Sequence, residues 1–248
     1  MGGGGFAMEP ENPLLDQYIL SQARTPRPKV CFIPTASADS DNFCLRFYEA
    51  FAQHNCTPSH LLLFKRAVAD LRSFILDKDV IYVGGGNTAN MLAIWRVHGM
   101  DQALHEAWDD GVVLCGVSAG MNCWFECSVT DSFGLELSAL RDGLGLLPGS
   151  VCPHYDGEER RRPVYQQLVA DGLPPGIAVE DSAGIFYEET VLKEVVAEVD
   201  GRRAYRVELT DGKITETVIP TRSLVSPPAP AAPPPPPAPQ PQAPPAPR

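Results

Sequence analysis

The chain has 248 residues and a formal net charge of -11, enough length for one ordinary domain with a sizeable core. Its acidic balance excludes a broad electrostatic footprint for nucleic acid or an anionic membrane, and no apolar run reaches the roughly 20 residues that span a bilayer. The seven cysteines, Cys31, Cys44, Cys56, Cys115, Cys123, Cys127 and Cys152, lack paired Cys-x-x-Cys spacing and read as reduced core thiols rather than a disulfide framework or zinc site. With no charged-then-apolar leader pattern at the start, the expected location is the cytoplasm.

A glycine cluster, Met1 to Phe6, precedes a predicted helix from about Pro13 to Ala23 and a strand at Lys29 to Ile33. A helix around Asn42 to Gln53, a strand near Ser59 to Phe64 and a short helix at Asp70 to Leu76 follow. The apolar strand Val80 to Val83 turns through Gly84-Gly85-Gly86-Asn87-Thr88 into a helix, Ala89 to Arg96. A further helix, Met100 to Trp108, leads to the apolar run Val112-Val113-Leu114 and a helical segment at Met121 to Glu126. Apolar strands alternating with helices predict an α/β fold, its parallel sheet covered on both faces, with ligands beyond the carboxyl ends of the strands.

Thr130 to Pro163 is rich in turn residues and reads as looser chain, followed by a helix near Val164 to Ala170 and a strand at Ile177 to Val179. From Ala183 to Ile219, apolar and polar residues alternate around Asp200-Gly201 and Asp211-Gly212, two hairpin signals that predict an antiparallel extension. Ser226 to Arg248 is almost wholly proline, alanine and glutamine; it is expected to form a disordered or polyproline-II tail, solvated rather than bound by a proline-recognition module.

Gly116-Val117-Ser118-Ala119-Gly120 stands between the apolar run and the helical segment that follows, the sequence form of a nucleophile elbow. Such a turn lifts a serine hydroxyl above the sheet, and its helix N-terminus favours negative charge on a substrate oxygen. The motif alone is short and also occurs in ordinary strand-to-helix turns. Ser118 is the leading nucleophile because of its context, whereas Cys115, Cys123 and Cys127 beside it have simple core readings.

A serine nucleophile needs a base, a group to orient that base and donors for the oxyanion. Of His54, His60, His98, His105 and His154, only His154 follows the elbow, in the Pro-flanked loop Cys152-Pro153-His154-Tyr155-Asp156, and it is the expected base rather than a loop-capping histidine. Asp131 is the first candidate to orient it, Glu126 the rival, with Asp156 set behind both for its nearness to His154; each carboxylate also has the commoner reading of a solvated group. The Ala119 amide is one expected oxyanion donor, and the Gly85, Gly86 and Asn87 turn supplies the second. No Lys-Ser/Thr pair follows that turn, which argues against a phosphate loop.

Taken together, Val83-Gly84-Gly85-Gly86-Asn87-Thr88, Gly116-Val117-Ser118-Ala119-Gly120 and Pro153-His154 resemble, in order and spacing, the peptidase E group of the S51 serine peptidases, which includes the cyanophycinases. The resemblance runs from about Gly2 to Pro220. It implies a three-layer αβα sandwich like the class I glutamine amidotransferases, with residues 1–225 as the catalytic domain. It further implies Ser118 as nucleophile, His154 as base, and Gly85 or Gly86 with Ala119 as oxyanion donors. The family's acid lies slightly farther beyond the serine than Asp131 does, some relatives use glutamate, and the family normally has a strand ahead of the glycine cluster.

The activity implied is hydrolysis of dipeptides with amino-terminal aspartate, which needs a cation for the substrate carboxylate. Arg160, at the head of Arg160-Arg161-Arg162, is the candidate; beside Glu158 and Glu159 the run also reads as a solvated helix start. No cofactor or metal is expected; the expected partner is a small peptide, with neither nucleic acid nor membrane, and the assembly in view is a homodimer. Two other readings stand beside the peptidase: an esterase or amidase acting on a small acyl substrate with the same triad, and a non-catalytic binding protein on the same scaffold.

Overall fold

The structure, a computed structural model, describes residues 1–225, so the expected proline-rich tail lies outside the described residues. Four parallel strands, β1 (Lys29–Ile33), β2 (Thr57–His60), β3 (Val80–Val83) and β4 (Val113–Gly116), form a sheet of order β2-β1-β3-β4. Successive side chains of a strand point to opposite faces, and here they feed two cores. Val30, Phe32, Val80 and Tyr82 pack with Phe6 and with helices α1 (Leu14–Ser21) and α2 (Asp41–Phe51) on one face. Cys31, Ile33, Ile81 and Val83 pack against α3 (Leu71–Leu76), α4 (Thr88–His98) and α5 (Met100–Asp109) on the other. That alternation makes the three layers.

After the elbow, α6 (Ala119–Asn122) is a single turn, and Phe125–Thr130 is strand β5 rather than a continued helix. The helix expected to reach Glu126 stops because Phe125, Cys127 and Val129 bury in the second sheet, where extended chain satisfies their backbone groups. That sheet has the order β12-β11-β8-β7-β5-β6, with β6 (Ser138–Leu140), β7 (Leu147–Cys152), β8 (Gly176–Val179), β11 (Ala204–Thr210) and β12 (Lys213–Ile219). Strands β5, β7 and β8 run parallel, and α7 (Arg161–Ala170) packs beside them. The stretch read as loose chain thus supplies two strands, hidden in sequence because β6 is short and β7 contains Pro148 and Gly149.

The antiparallel extension is present, with one turn misplaced by the sequence. Asp211-Gly212 does join β11 to β12, whereas Asp200-Gly201 joins strands of different sheets. The other hairpin turns at Glu189-Thr190, between β9 (Ala183–Glu188) and β10 (Val191–Ala197), and β10 also pairs with β13 (Thr221–Ser223). The strand expected near Ser59 to Phe64 lies slightly earlier, at β2. Among the described residues no helix is long and apolar enough to cross a membrane.

Candidate active site

Adjacent parallel strands deliver the functional residues in pairs. Val83 at the end of β3 is in register with Gly116 at the end of β4, so the glycine turn and the elbow leave the sheet side by side. Ser118 takes φ 57 and ψ -112, a left-handed conformation costly for a residue with a Cβ and characteristic of serines held out at an elbow. The flanking glycines explain why the turn fits: a Cβ on Gly116 would lie 2.4 Å from Gly120 O, and one on Gly120 would lie 2.2 Å from Val83 O.

Gly85 faces the serine. A Cβ there would stand 3.3 Å from Ser118 Cβ and 3.8 Å from its Oγ, so the bare backbone leaves room beside the hydroxyl. Among the described residues, the amides of Gly85 and Gly86 donate to no acceptor, and the Ala119 amide, first in α6, has no intrahelical one. Asn87 does different work: its Oδ1 accepts from Asn90 N at 2.8 Å, capping α4, and its Nδ2 donates to Ser132 O at 3.0 Å.

The second pair leaves β7 and β8, which are parallel with Cys152 in register with Ala178. Two residues past Cys152 comes His154; three past Ala178 comes Asp181. His154 Nδ1 lies 2.7 Å from Asp181 Oδ1, both side chains mostly shielded from solvent. The Asp181 loop is itself held, its amide donating to Asp156 Oδ1 at 2.9 Å while Asp156 Oδ2 pairs with Arg202. His154 adopts φ 53, so this loop too is set in an unusual conformation.

The structure therefore brings Asp181, and neither Asp131 nor Glu126, to the histidine. Glu126 lies exposed on β5 with Oε2 accepting from Gly149 N at 2.8 Å. Asp131 is exposed at the end of that strand, where the neighbouring Ser132 ties the chain to the start of α4. Asp181 could have been found from the sequence, since it stands two residues past the predicted strand Ile177 to Val179, where side chains reach the ligand end of a parallel sheet.

The glycine cluster joins the two halves. Met1 O accepts from Ser118 N at 3.2 Å, Gly3 O accepts from Ser182 N at 3.2 Å, and a Cβ on Gly3 would lie 2.2 Å from Asp181 Oδ1. Phe6 anchors the strip in the core, its ring 5.4 Å from that of Phe32 and edge-on to it. Among the described residues Ser118 Oγ and His154 Nε2 make no hydrogen bond.

Arg160 is exposed and pairs with Glu136. Arg161 is buried, bonding Glu158 at 2.7 Å and Val129 O at 3.2 Å, and Arg162 pairs with Glu216 over the rings of Tyr155 and Tyr205. Each guanidinium thus already has a carboxylate of its own. Burial pushes the Cys123 thiol far up and the Cys152 thiol to about 12, so neither supplies a thiolate nucleophile.

The model of peptidase family S51 matches residues 1–195. A Bacillus subtilis (strain 168) protein named uncharacterized peptidase YgaJ is 51% identical over 225 residues, covering 90% of this chain and 97% of that protein. Peptidase E of Citrobacter koseri is 31% identical over 135 residues, 48% of this chain and 58% of that protein. Among solved structures, a peptidase from an acI-B1 Actinobacterium aligns with a TM-score of 0.61 at 16% identity, covering 87% of this chain and 91% of that one, a likeness of fold.

Proposed function

The chain belongs to peptidase family S51, and from that premise we propose that it is a serine peptidase of small peptides in which Ser118 is the nucleophile, His154 the base and Asp181 the group that orients it. The observation that carries this reading is the pairing of His154 with Asp181, on loops that the glycine cluster ties to the elbow, where Ser118 faces the open backbone of Gly85. A carboxylate on Nδ1 fixes the imidazole tautomer that leaves Nε2 free to accept a proton.

In the proposed reaction His154 takes the Ser118 proton as Oγ attacks the peptide carbonyl. The amides of Ala119 and of Gly85 or Gly86 receive the oxyanion, and His154 then gives its proton to the leaving amine. Water attacks the acyl-enzyme by the same route and restores Ser118. The reading requires a hydrogen bond from Ser118 Oγ to His154 Nε2 in the substrate complex, where catalytic contacts often tighten.

Amino-terminal aspartate is the first side chain to test, although Arg160, Arg161 and Arg162 all spend their charge on glutamates. The test is steady-state hydrolysis of Asp-Leu, Ala-Leu and Leu-Leu beside a nitrophenyl acetate control. The reading requires turnover of at least one peptide class that disappears in Ser118→Ala. Ester turnover with no peptide turnover would replace the peptidase with an esterase.

A further inference from the structure

The Asp200-Gly201 turn between β10 and β11 carries Arg202 to Asp156, the residue that bonds the Asp181 amide. We propose that Asp156 and Arg202 are positioning residues for the hydrolysis: Asp156 fixes Asp181 at the imidazole of His154, and Arg202 cancels the charge of Asp156, so that the imidazole faces one net carboxylate. This rests on the reading of Asp181 as the group that orients His154.

The aim of Asp181 depends on its backbone. A Cβ on Gly3 would lie 2.2 Å from Asp181 Oδ1, and one on Gly157 would lie 2.1 Å from Oδ2, so bare backbone flanks the carboxylate on both sides. At those two points no neighbouring side chain locks its rotamer. Ser182, immediately after it, stands at φ 59, a conformation that costs energy in a residue with a Cβ and persists only where surrounding contacts impose it.

The contacts that hold this backbone come largely from the turn and from Asp156. Glu180 N donates to Arg203 O at 3.1 Å, Arg203 N donates back to Glu180 Oε2 at 2.9 Å, and Tyr205 OH donates to Glu180 Oε1 at 2.7 Å. One residue on, the Asp181 amide donates to Asp156 Oδ1 at 2.9 Å. Asp156 stands two residues past His154, so one carboxylate ties the loop of the base to the loop of the group that orients it. The antiparallel extension thereby supports the site as well as the sheet.

Charge gives Arg202 its part. Asp156 brings a second negative charge to this pair of loops, and a nearby charge changes how strongly an imidazole holds its proton. Arg202 pairs with Asp156 Oδ2, the oxygen that the Asp181 amide leaves open. The other carboxylates around the pair have donors of their own. Glu158, whose amide donates to His154 O, holds Arg161; Glu180 accepts from Arg203 N and Tyr205 OH; and Glu198, whose amide donates to Ser182 O, accepts from Gly5 N.

The experiment follows the rate of fluorophosphonate labelling of Ser118 in the full chain from pH 5 to 9, with Tm for every variant. Asp156→Asn keeps an acceptor for the Asp181 amide and Asp156→Ala does not, so Ala is expected to slow the high-pH plateau about tenfold to a hundredfold and Asn less than about threefold. Arg202→Gln unmasks a negative charge and is expected to move the midpoint of the rising limb up by about 0.3 in pH, Asp156→Asn to move it down by a similar amount, and the double variant to return it to the parent value. A merely structural role would lower rates without moving the midpoint in opposite directions. Shifts of the same sign, or none, in Arg202→Gln and Asp156→Asn overturn the proposal, as does an unchanged plateau in a folded Asp156→Ala; where Ala loses the fold, the Asn and Gln profiles decide. Labelling slowed in Asp181→Asn but unchanged in every Asp156 and Arg202 variant overturns this proposal alone, whereas labelling unchanged in Asp181→Asn overturns the reading beneath it as well.

Discussion

His154 Nδ1 meets Asp181 Oδ1 at 2.7 Å because the two residues leave neighbouring parallel strands at matching depth. If that carboxylate orients the base, Asp181→Asn presents the wrong tautomer and lowers kcat by about 10³ to 10⁴, while Asp131→Asn and Glu126→Gln change it less than about threefold. Parallel kcat measurements on the three variants, with circular dichroism to confirm folding, distinguish these outcomes. Equal losses in all three would remove Asp181 from its assigned place.

Gly85 and Gly86 separate chemistry from folding. A Cβ at Gly85 approaches Ser118 without meeting backbone closer than 3.6 Å, so Gly85→Ala is expected to fold normally and lose about tenfold to a hundredfold in turnover. Gly86 has φ 137 and would place a Cβ 2.2 Å from Ala36 O, so Gly86→Ala is expected to destabilise by about 2 kcal/mol or more. Denaturant midpoints and kcat, measured on both, test the contrast.

The glycine strip also rests on its aromatic anchor. Phe6 is buried among Phe32, Phe47, Phe51 and Tyr82, and truncating such a side chain typically costs about 3 to 5 kcal/mol. Phe6→Ala is expected to lower stability by that order, and Phe6→Leu by much less. An unchanged urea midpoint in Phe6→Ala would show that the strip is held by other contacts.

Two buried carboxyls lie under the same strip. Burial raises Asp16 from 3.8 to about 7, against the opposing hydrogen bond from the Phe6 amide and with a further upward push from Glu198, and burial likewise raises Glu198 from 4.5 to about 7. A raised folded value means that the folded state keeps protons the unfolded chain releases, so stability is greatest at low pH in this respect and falls as pH rises from about 4 through 7. Asp16→Asn is expected to flatten that fall and to gain about 1 kcal/mol over the parent at pH 8. Urea unfolding from pH 5 to 8 checks it; an identical slope in parent, Asp16→Asn and Glu198→Gln would contradict it.

Much of this architecture is legible in residue order. The apolar runs at Val80 to Val83 and Val112 to Leu114 and the glycine turns after them announce a parallel sheet and its ligand end, because no other arrangement buries such strands on both faces. Ser118 stands out in its tight turn after an apolar run, and His154 as the histidine that follows the elbow, in a Pro-flanked loop. Asp181 carries a local signal, two residues past the predicted strand Ile177 to Val179, but its partnership with His154 depends on β7 lying beside β8, a long-range pairing that no local pattern encodes. β7 itself is disguised by Pro148 and Gly149. The Asp200-Gly201 signal misled for a related reason: turn chemistry fixes a local bend and leaves open which sheet each arm joins.

The central claim is that the Ser118 hydroxyl is activated by His154. Labelling the purified full chain with a fluorophosphonate and locating the adduct by peptide mass spectrometry tests it most directly. The account predicts a single stoichiometric adduct on Ser118, absent in Ser118→Ala and strongly slowed in His154→Ala at unchanged Tm. Peptide hydrolysis that persists in a folded Ser118→Ala variant, or an adduct on another residue, would contradict it.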